Sequence, residues 1–154
     1  MNSVLMIGLL SDTHGHLPRF VHDGLTDLLV THIIHAGDVG EPNLLAELQR
    51  IAPTTWVCGN MDSRSIGPKS AVAEVGDSHL YVLHNLYDID IDPGAAGMCA
   101  VVHGHLHEPS IKWKDKILYI NPGSCVYPRG GHPPSFAVIR VQNDRLIPEI
   151  IFKD

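Results

Sequence analysis

The chemistry of this chain is concentrated in a few short clusters of histidine, carboxylate and amide side chains. The 154 residues include 11 His, as many as Lys and Arg together. Because His is the commonest metal ligand and titrates near neutral pH, this excess indicates metal binding or acid–base chemistry. The clusters are Asp12-Thr13-His14, Gly37-Asp38, Gly59-Asn60-Met61-Asp62, His84 and His103-Gly104-His105-Leu106-His107.

Taken one at a time, the clusters have ordinary structural explanations. Gly59-Asn60 is a common turn sequence, since Gly and Asn tolerate positive φ. A lone His84 would more often be packed in a core than bound to a metal. The run from His103 to His107 is the strongest single piece, because alternation puts three His within one short turn. Together, and in this order, the clusters indicate one shared site.

Short strands are expected immediately before the clusters. The apolar or β-branched segments are residues 4–10, 32–35, 54–58, 79–83 and 99–102. Helices that begin near Pro18 and Pro42 separate the first three strands, which predicts parallel strands joined by right-handed crossovers. Since sites of α/β sheets assemble beyond the carboxyl ends of parallel strands, the clusters should converge at one sheet edge.

The second half of the chain has a different pattern, typical of antiparallel pairs. The predicted strand pairs are 71–75 with 79–83, 111–114 with 116–120, and 136–142 with 146–152. The sheet should therefore be mixed, or there should be two sheets. Residues 88–97 are predicted to form a short helix or a loop. No long linker divides the chain, so residues 1–154 are expected to form one domain.

The side chains in the clusters suit transition metals. Imidazole, carboxylate and amide oxygen together favour Mn, Fe, Zn, Co or Ni over Ca or Mg alone. No cysteine is placed to join them, which argues against a structural zinc site of the cysteine type. The ligands are too many for one tetrahedral ion. A pair of ions about 3.5–4 Å apart fits their number better, with one carboxylate shared between the ions.

Composition excludes several classes of protein. The net charge of −6 leaves no broad basic surface for nucleic acid. The longest apolar run, residues 4–10, is far shorter than the ~20 residues of a membrane span, and it lacks the flanks of a signal peptide. The three cysteines are widely spaced, as in a reducing cytosol. A cytoplasmic protein without a membrane or nucleic-acid partner is expected.

The series of clusters resembles the calcineurin-like metallophosphoesterase superfamily. The short length and the later segment Asn121-Pro122-Gly123-Ser124 are similar to its small YfcE-type phosphodiesterase branch. The resemblance implies an α/β fold, a four-layer α-β-β-α sandwich with two mixed sheets and a dinuclear metal site at the strand ends.

The resemblance also implies a role for each residue. The metal ligands would be Asp12, His14 and His107 for the first ion, Asn60, His84 and His105 for the second, and Asp38 between them. A hydroxide bridging the two ions would attack the phosphorus of a small phosphodiester. Manganese is the expected metal, with Fe, Zn, Ni or Co as alternatives. Asp62 would orient a neighbour or a water, and His103 would either support the ligands or simply close a strand.

Two departures from the superfamily pattern affect the expected substrate. Many members have His, thought to assist the leaving group, where this chain has Met61. Because Met cannot donate a proton, phosphodiesters with stabilised leaving groups are favoured over monoesters with poor ones. Asn85 follows His84 where members usually have Gly, which could alter the backbone near the second metal.

Alternative functions stay open at this point. The same site could serve a phosphomonoesterase or a nucleotide hydrolase. The fold could also serve as a non-catalytic scaffold for protein interactions, like the retromer subunit that resembles these enzymes, although loss of ligands usually accompanies that change. The expected partner is a small phosphoester, and assembly into a homo-oligomer is left open. Arg64 could contact a phosphate, with a solvated surface position as its default.

Overall fold

The computed structural model describes residues 4–154, which form ten strands and two α-helices. The elements are β1 Leu5–Leu10, α1 Arg19–Asp27, β2 His32–His35, α2 Pro42–Gln49, β3 Thr54–Trp56, β4 Ser70–Val75, β5 Ser78–Leu83, β6 Ala100–Val102, β7 Ser110–Lys114, β8 Ile117–Asn121, β9 Ser135–Gln142 and β10 Arg145–Phe152. Short 3-10 helices cover Arg64–Ile66 and Leu86–Asp88.

The strands form two five-stranded sheets, and both sheets are mixed. The first sheet has the order β10-β9-β1-β2-β3, in which β1, β2 and β3 are parallel and β9 and β10 are antiparallel. The second has the order β4-β5-β6-β8-β7, in which β5, β6 and β8 are parallel. The antiparallel strands β4 and β7 lie at its edges. The predicted pair of mixed sheets is confirmed.

Alternation along the strands builds the core between the sheets. Ile7 and Leu9 of β1 and Leu80 and Val82 of β5 share this inner cluster and are completely buried. On the outer face of the first sheet, α1 and α2 contribute a second cluster with Val21, Leu25, Leu44, Leu45 and Leu48. Pro42 stands at the start of α2, where its missing N–H costs no hydrogen bond.

The outer face of the second sheet is covered by the segment that follows β5. Tyr81 and Val101 on the sheet pack with Leu86, Ile89 and Met98 from this segment. It forms one 3-10 helix and then turns, so the loop alternative for residues 88–97 is the one that the structure shows. This segment takes the place of the second helical layer of the predicted sandwich, with one 3-10 helix and turns instead of an α-helix. In residues 4–154, no helix is long and apolar enough to cross a membrane.

Candidate metal centre

The predicted clusters meet where loops from the two sheets come together. Asp12 follows β1 of the first sheet, and its N–H donates to the Gly37 carbonyl after β2 at 2.9 Å. In the second sheet the Gly104 N–H after β6 donates to the carbonyl of His84 after β5, also at 2.9 Å. The sheets are joined through the His84 side chain. Its Nδ1 lies 2.7 Å from the carbonyl of Ala36.

Two groups of close ligand atoms share the carboxylate of Asp12. One group contains Asp12, His14 and His107, and the other contains Asp12, Asp38 and His84. Asp12 Oδ1 lies 3.3 Å from His107 Nε2 and 3.7 Å from His84 Nε2. In this geometry Asp12 is therefore the residue common to both groups.

Asp38 lies between the histidines of the two groups. Its Oδ2 is 3.3 Å from His84 Nε2 and 3.8 Å from His14 Nε2. Its Oδ1 accepts a hydrogen bond of 2.8 Å from the Met61 N–H, which fixes the carboxylate plane. The position suits the predicted bridging role, which stays a prediction.

Asn60 and His105 form a more exposed edge of the site. The Asn60 Oδ1 lies 3.2 Å from His105 Nδ1, and the ring centroids of His105 and His84 are 5.2 Å apart. The two groups of close ligand atoms, which consist of His and carboxylate side chains, do not include His105. The structure thus brings all seven predicted ligands to one place, with five of them in those two groups.

Backbone and hydroxyl groups orient the buried ligands. The Nδ1–H groups of His84 and His107 donate to the carbonyls of Ala36 and Tyr127, both at 2.7 Å. The lone pair of each Nε2 therefore faces the centre of the cluster, as in metal-bound histidines. Asp12 Oδ2 accepts hydrogen bonds from Ser11 Oγ at 2.6 Å and from the His105 N–H at 3.0 Å, so Oδ1 faces inward.

Several inward-facing atoms have no hydrogen-bond partner. Asp12 Oδ1, His14 Nε2 and His84 Nε2 are buried and unpartnered. Buried polar atoms are normally satisfied, so this cluster of lone pairs needs an explanation. A divalent cation would accept these lone pairs together, and the nitrogen and oxygen donors present fit such an ion.

The pKa shifts of Asp38 and His84 favour an ion pair between a carboxylate and a protonated imidazole. Burial alone would raise the pKa of Asp38, but its close contact with His84 and the hydrogen bond from the Met61 N–H outweigh burial and lower that pKa. Burial alone would lower the pKa of His84, but its close contact with Asp38 and the charge of Asp12 raise it. A metal cation between Asp38 and His84 would compete with the proton on the His84 ring.

Most predicted ligands sit on strained backbone. Positive φ values occur at Asp12 (55°), His14 (47°), Asp38 (54°), His105 (74°) and His107 (61°). Residues other than Gly rarely adopt this region, and each such residue costs on the order of 1–3 kcal/mol. Strain of this kind clusters at functional sites, where the surrounding structure enforces it.

Asp62 positions the loops that carry Asp38 and Asn60. Its carboxylate accepts three backbone hydrogen bonds, from Val39 at 3.1 Å, Gly40 at 3.0 Å and Gly59 at 3.0 Å. The first two donors follow β2 and the third follows β3. Asp62 thus joins these two loops, in keeping with its predicted orienting role.

His103 lies outside both groups of close ligand atoms. It is buried, its Nδ1 has no hydrogen-bond partner, and burial is the main cause that lowers its pKa to about 4. The ring is therefore neutral at pH 7. A role in supporting the ligands stays a prediction.

The sequence signals missed several supporting residues. Ser124 Oγ donates to the carbonyl of Asp12 at 2.8 Å and accepts from the Tyr127 N–H at 2.9 Å. The segment Asn121-Pro122-Gly123-Ser124 was the only hint of this contact. The buried Ser11, which holds Asp12, carried no signal at all.

Gly59 is required by close packing. A Cβ at this position would collide with the backbone nitrogen and Oδ1 of Asp38, and its φ lies outside the left-handed region. Gly59–Asp62 do form a turn, in which the Asp62 N–H donates to the Gly59 carbonyl at 3.2 Å, but neither Gly59 nor Asn60 has the positive φ on which the turn explanation was based. Only Gly lets the loop after β3 approach Asp38 this closely.

Comparison with known proteins identifies the class. Residues 5–144 match the calcineurin-like phosphoesterase superfamily domain, so the chain belongs to that superfamily. Its relatives include a probable metallophosphoesterase from Methanothermobacter thermautotrophicus, which is 33% identical over 165 residues, covering 96% of this chain and 92% of the relative. The predicted family is confirmed.

Solved structures share the fold. Vacuolar Protein Sorting 29 from Cryptosporidium parvum superposes with a TM-score of 0.76 at 19% identity, covering 96% of this chain and 97% of that one. The phosphoesterase YfcE from Escherichia coli superposes with a TM-score of 0.71 at 20% identity, covering 97% of this chain and 100% of that one. At these identities the likeness concerns the fold.

Proposed function

We propose that this phosphoesterase hydrolyses small phosphodiesters with the help of two divalent cations. The observation that carries the proposal is the set of buried, unpartnered atoms Asp12 Oδ1, His14 Nε2 and His84 Nε2. Membership of the metallophosphoesterase superfamily supports the same chemistry.

The cations would be held by the residues that the sequence indicates. The proposed ligands are Asp12, His14 and His107 for one ion, Asn60, His84 and His105 for the other, and Asp38 between them. Bound in pairs, divalent ions supply a hydroxide nucleophile at neutral pH and stabilise the charge that develops on phosphoryl oxygens. We propose Mn as the metal, while the nitrogen and oxygen donors also admit Fe, Zn, Ni or Co.

The chain offers no proton donor at the position of Met61. Its side chain is 72% exposed, and its N–H is committed to Asp38 Oδ1. Met61 cannot protonate a leaving group near this position, so a stabilised leaving group is favoured. This supports phosphodiesters over monoesters of poorly acidic alcohols.

The decisive experiment measures hydrolysis of bis(p-nitrophenyl) phosphate. After removal of metal with EDTA, we expect no turnover, and added Mn²⁺ should restore it. A panel with a p-nitrophenyl monoester, a dinucleoside polyphosphate and a cyclic nucleotide, run with several metals, would separate the substrate classes. Absence of any metal-dependent turnover would contradict the proposal.

A non-catalytic scaffold is the second candidate, because Vacuolar Protein Sorting 29 from Cryptosporidium parvum shares the fold. The retention of all predicted ligands argues for catalysis. A stoichiometric co-purifying protein, together with absent hydrolysis, would favour the scaffold. We further propose a cytoplasmic location, since Cys58, Cys99 and Cys125 are all free, as in a reducing compartment.

A further inference from the structure

A large cavity begins at the exposed edge of the metal centre. Its volume is about 710 Å³, and Asn60, His84 and His105 line the end beside the proposed ions. Tyr81 and Leu83 of β5 also contribute to its lining. Small-molecule pockets commonly have ~300–1,000 Å³, so this space can hold a group of nucleotide size.

Charged side chains of opposite sign enter the cavity from different segments. Arg64 and Lys69 come from the connection between β3 and β4, whereas Asp88 and Asp90 come from the segment after β5. The ion pairs among residues 4–154 include neither Arg64 nor Lys69. The two cationic side chains in this cavity are therefore available to a ligand.

We propose that the cavity binds one arm of the substrate and that this arm carries a second phosphate group, held by Arg64 and Lys69. The inference rests on the proposed function, which places the reacting phosphate at the metal centre. The substrate class is thus a phosphodiester with an additional phosphate on one of its ester groups.

The charges define where the second phosphate lies. Guanidinium and ammonium groups form short, charge-assisted hydrogen bonds with phosphate. Asp88 and Asp90 repel an anion, so a second phosphate is excluded from their part of the cavity. Arg64 and Lys69 line the same cavity as Asn60 and His105, so the cation pair and the metal centre open into one space.

Two nucleotides that differ by one phosphate test the inference. Calorimetry on the Mn²⁺-loaded protein would compare adenosine 3′,5′-bisphosphate with adenosine 5′-monophosphate. We expect the bisphosphate to bind about tenfold more tightly, because its second phosphate gains two charge-assisted contacts. The Arg64→Ala/Lys69→Ala double variant should reduce the ratio of the two affinities to about one, since those contacts are gone.

Matched variants separate this effect from general electrostatics. Lys114→Ala removes an exposed cation from β7, at the opposite edge of the second sheet, and should keep the wild-type ratio. Asp88→Asn/Asp90→Asn should increase the ratio, because it removes repulsion. The ratio of the two affinities should also fall as the salt concentration is raised, because salt screens the charges.

The outcomes distinguish this inference from the proposed function. Equal affinities in the wild type, no binding of either nucleotide, or an unchanged ratio in the double variant would overturn the inference. Turnover of bis(p-nitrophenyl) phosphate, measured on the same preparations, decides the proposed function separately. A protein with turnover but equal affinities would retain the function and lose the second phosphate site.

Discussion

The hydroxyl of Ser124 donates a hydrogen bond of 2.8 Å to the backbone carbonyl of Asp12, a residue 112 positions earlier in the chain. The same oxygen accepts from the N–H of Tyr127 at 2.9 Å. The carbonyl of Tyr127 in turn accepts from His107 Nδ1. One buried serine thereby holds two proposed ligands of the same ion, Asp12 and His107, in register.

Ser124→Ala should weaken both stability and metal binding. The hydroxyl is completely buried, so its loss leaves the Asp12 carbonyl and the Tyr127 N–H without a partner, at about 1–3 kcal/mol of unfolding free energy. Because Tyr127 would no longer hold His107, we expect Mn²⁺ affinity to fall roughly tenfold. Denaturant unfolding and calorimetric titration with Mn²⁺ measure the two effects.

Ser135→Ala is the matched control. Ser135 is another buried serine, and its Oγ donates to the carbonyl of Pro122 at 2.8 Å. It should lose comparable stability while Mn²⁺ affinity changes little. If the two variants lose Mn²⁺ affinity equally, Ser124 is merely structural.

The sequence indicated which side chains converge better than it indicated the groups that support them. Asp12, His84 and the other proposed ligands could be located because each follows a strand, and parallel strands bring their carboxyl ends together. The supports of His84 and His107 are backbone carbonyls, which have no residue type to recognise. The close approach that requires Gly59 depends on tertiary packing, which local turn preferences do not encode.

The same limit applies to the fold. Two apolar segments on either side of a tight turn predicted β9 and β10 within one residue of their observed bounds. Residues 88–97 gave no decision between helix and loop, because their Ile residues alternate with Asp and are followed by Pro93-Gly94. In the structure, Ile89 and Met98 pack against the second sheet, and the segment between them forms turns.

Asp38→Asn tests the central carboxylate. The amide keeps the size of the side chain and can still accept from the Met61 N–H, but it removes the negative charge between His14 and His84. We expect kcat/KM on bis(p-nitrophenyl) phosphate to fall by roughly 100-fold or more, since even residues that only support metal ligands cost about 10–100-fold.

The control for this substitution is Asp115→Asn in the exposed turn between β7 and β8. Both residues have positive φ, 54° at Asp38 and 51° at Asp115, so the two variants share the backbone requirement. Asp115→Asn should leave kcat/KM unchanged. Full activity in Asp38→Asn would contradict the assignment of Asp38.

Met61→His should broaden the range of leaving groups. The side chain is exposed, so histidine can be accommodated without repacking. A proton donor beside the leaving group is typically worth ~10²–10⁴-fold when well positioned, so we expect at least about a tenfold gain for phenyl esters. Rates for p-nitrophenyl esters should change little, because nitrophenolate needs no proton.

Met61→Gln is the control, because glutamine cannot act as a general acid. It should leave the ratio of phenyl to nitrophenyl rates unchanged. If Met61→His also leaves this ratio unchanged, the argument is refuted.

His35 is a neutral histidine built into the support of the site. It is completely buried, its Nδ1 accepts from the Gly37 N–H at 3.1 Å, and its Nε2 lies 2.9 Å from Thr13 Oγ1. That hydroxyl donates onward to the Val39 carbonyl at 2.9 Å. Burial is the main cause that lowers the pKa of His35 from 6.5 to about 3.

This pKa makes folding stability depend on pH in a defined window. Between pH 6.5 and about 3 the unfolded state binds a proton at His35 that the folded state does not bind, so stability rises with pH there and falls on acidification. At pH 5 the loss should be about 2 kcal/mol relative to pH 7, at 1.36 kcal/mol per pH unit. His103, whose pKa is lowered to about 4, adds to this slope, and His84, whose pKa is raised, opposes it. Denaturant unfolding in EDTA between pH 5 and 7 should therefore show the His35 contribution as a shallower slope in His35→Gln than in the wild type. His22→Gln, which changes an exposed histidine, should keep the wild-type slope; an unchanged slope in His35→Gln would show that His35 does not stay neutral in the folded protein.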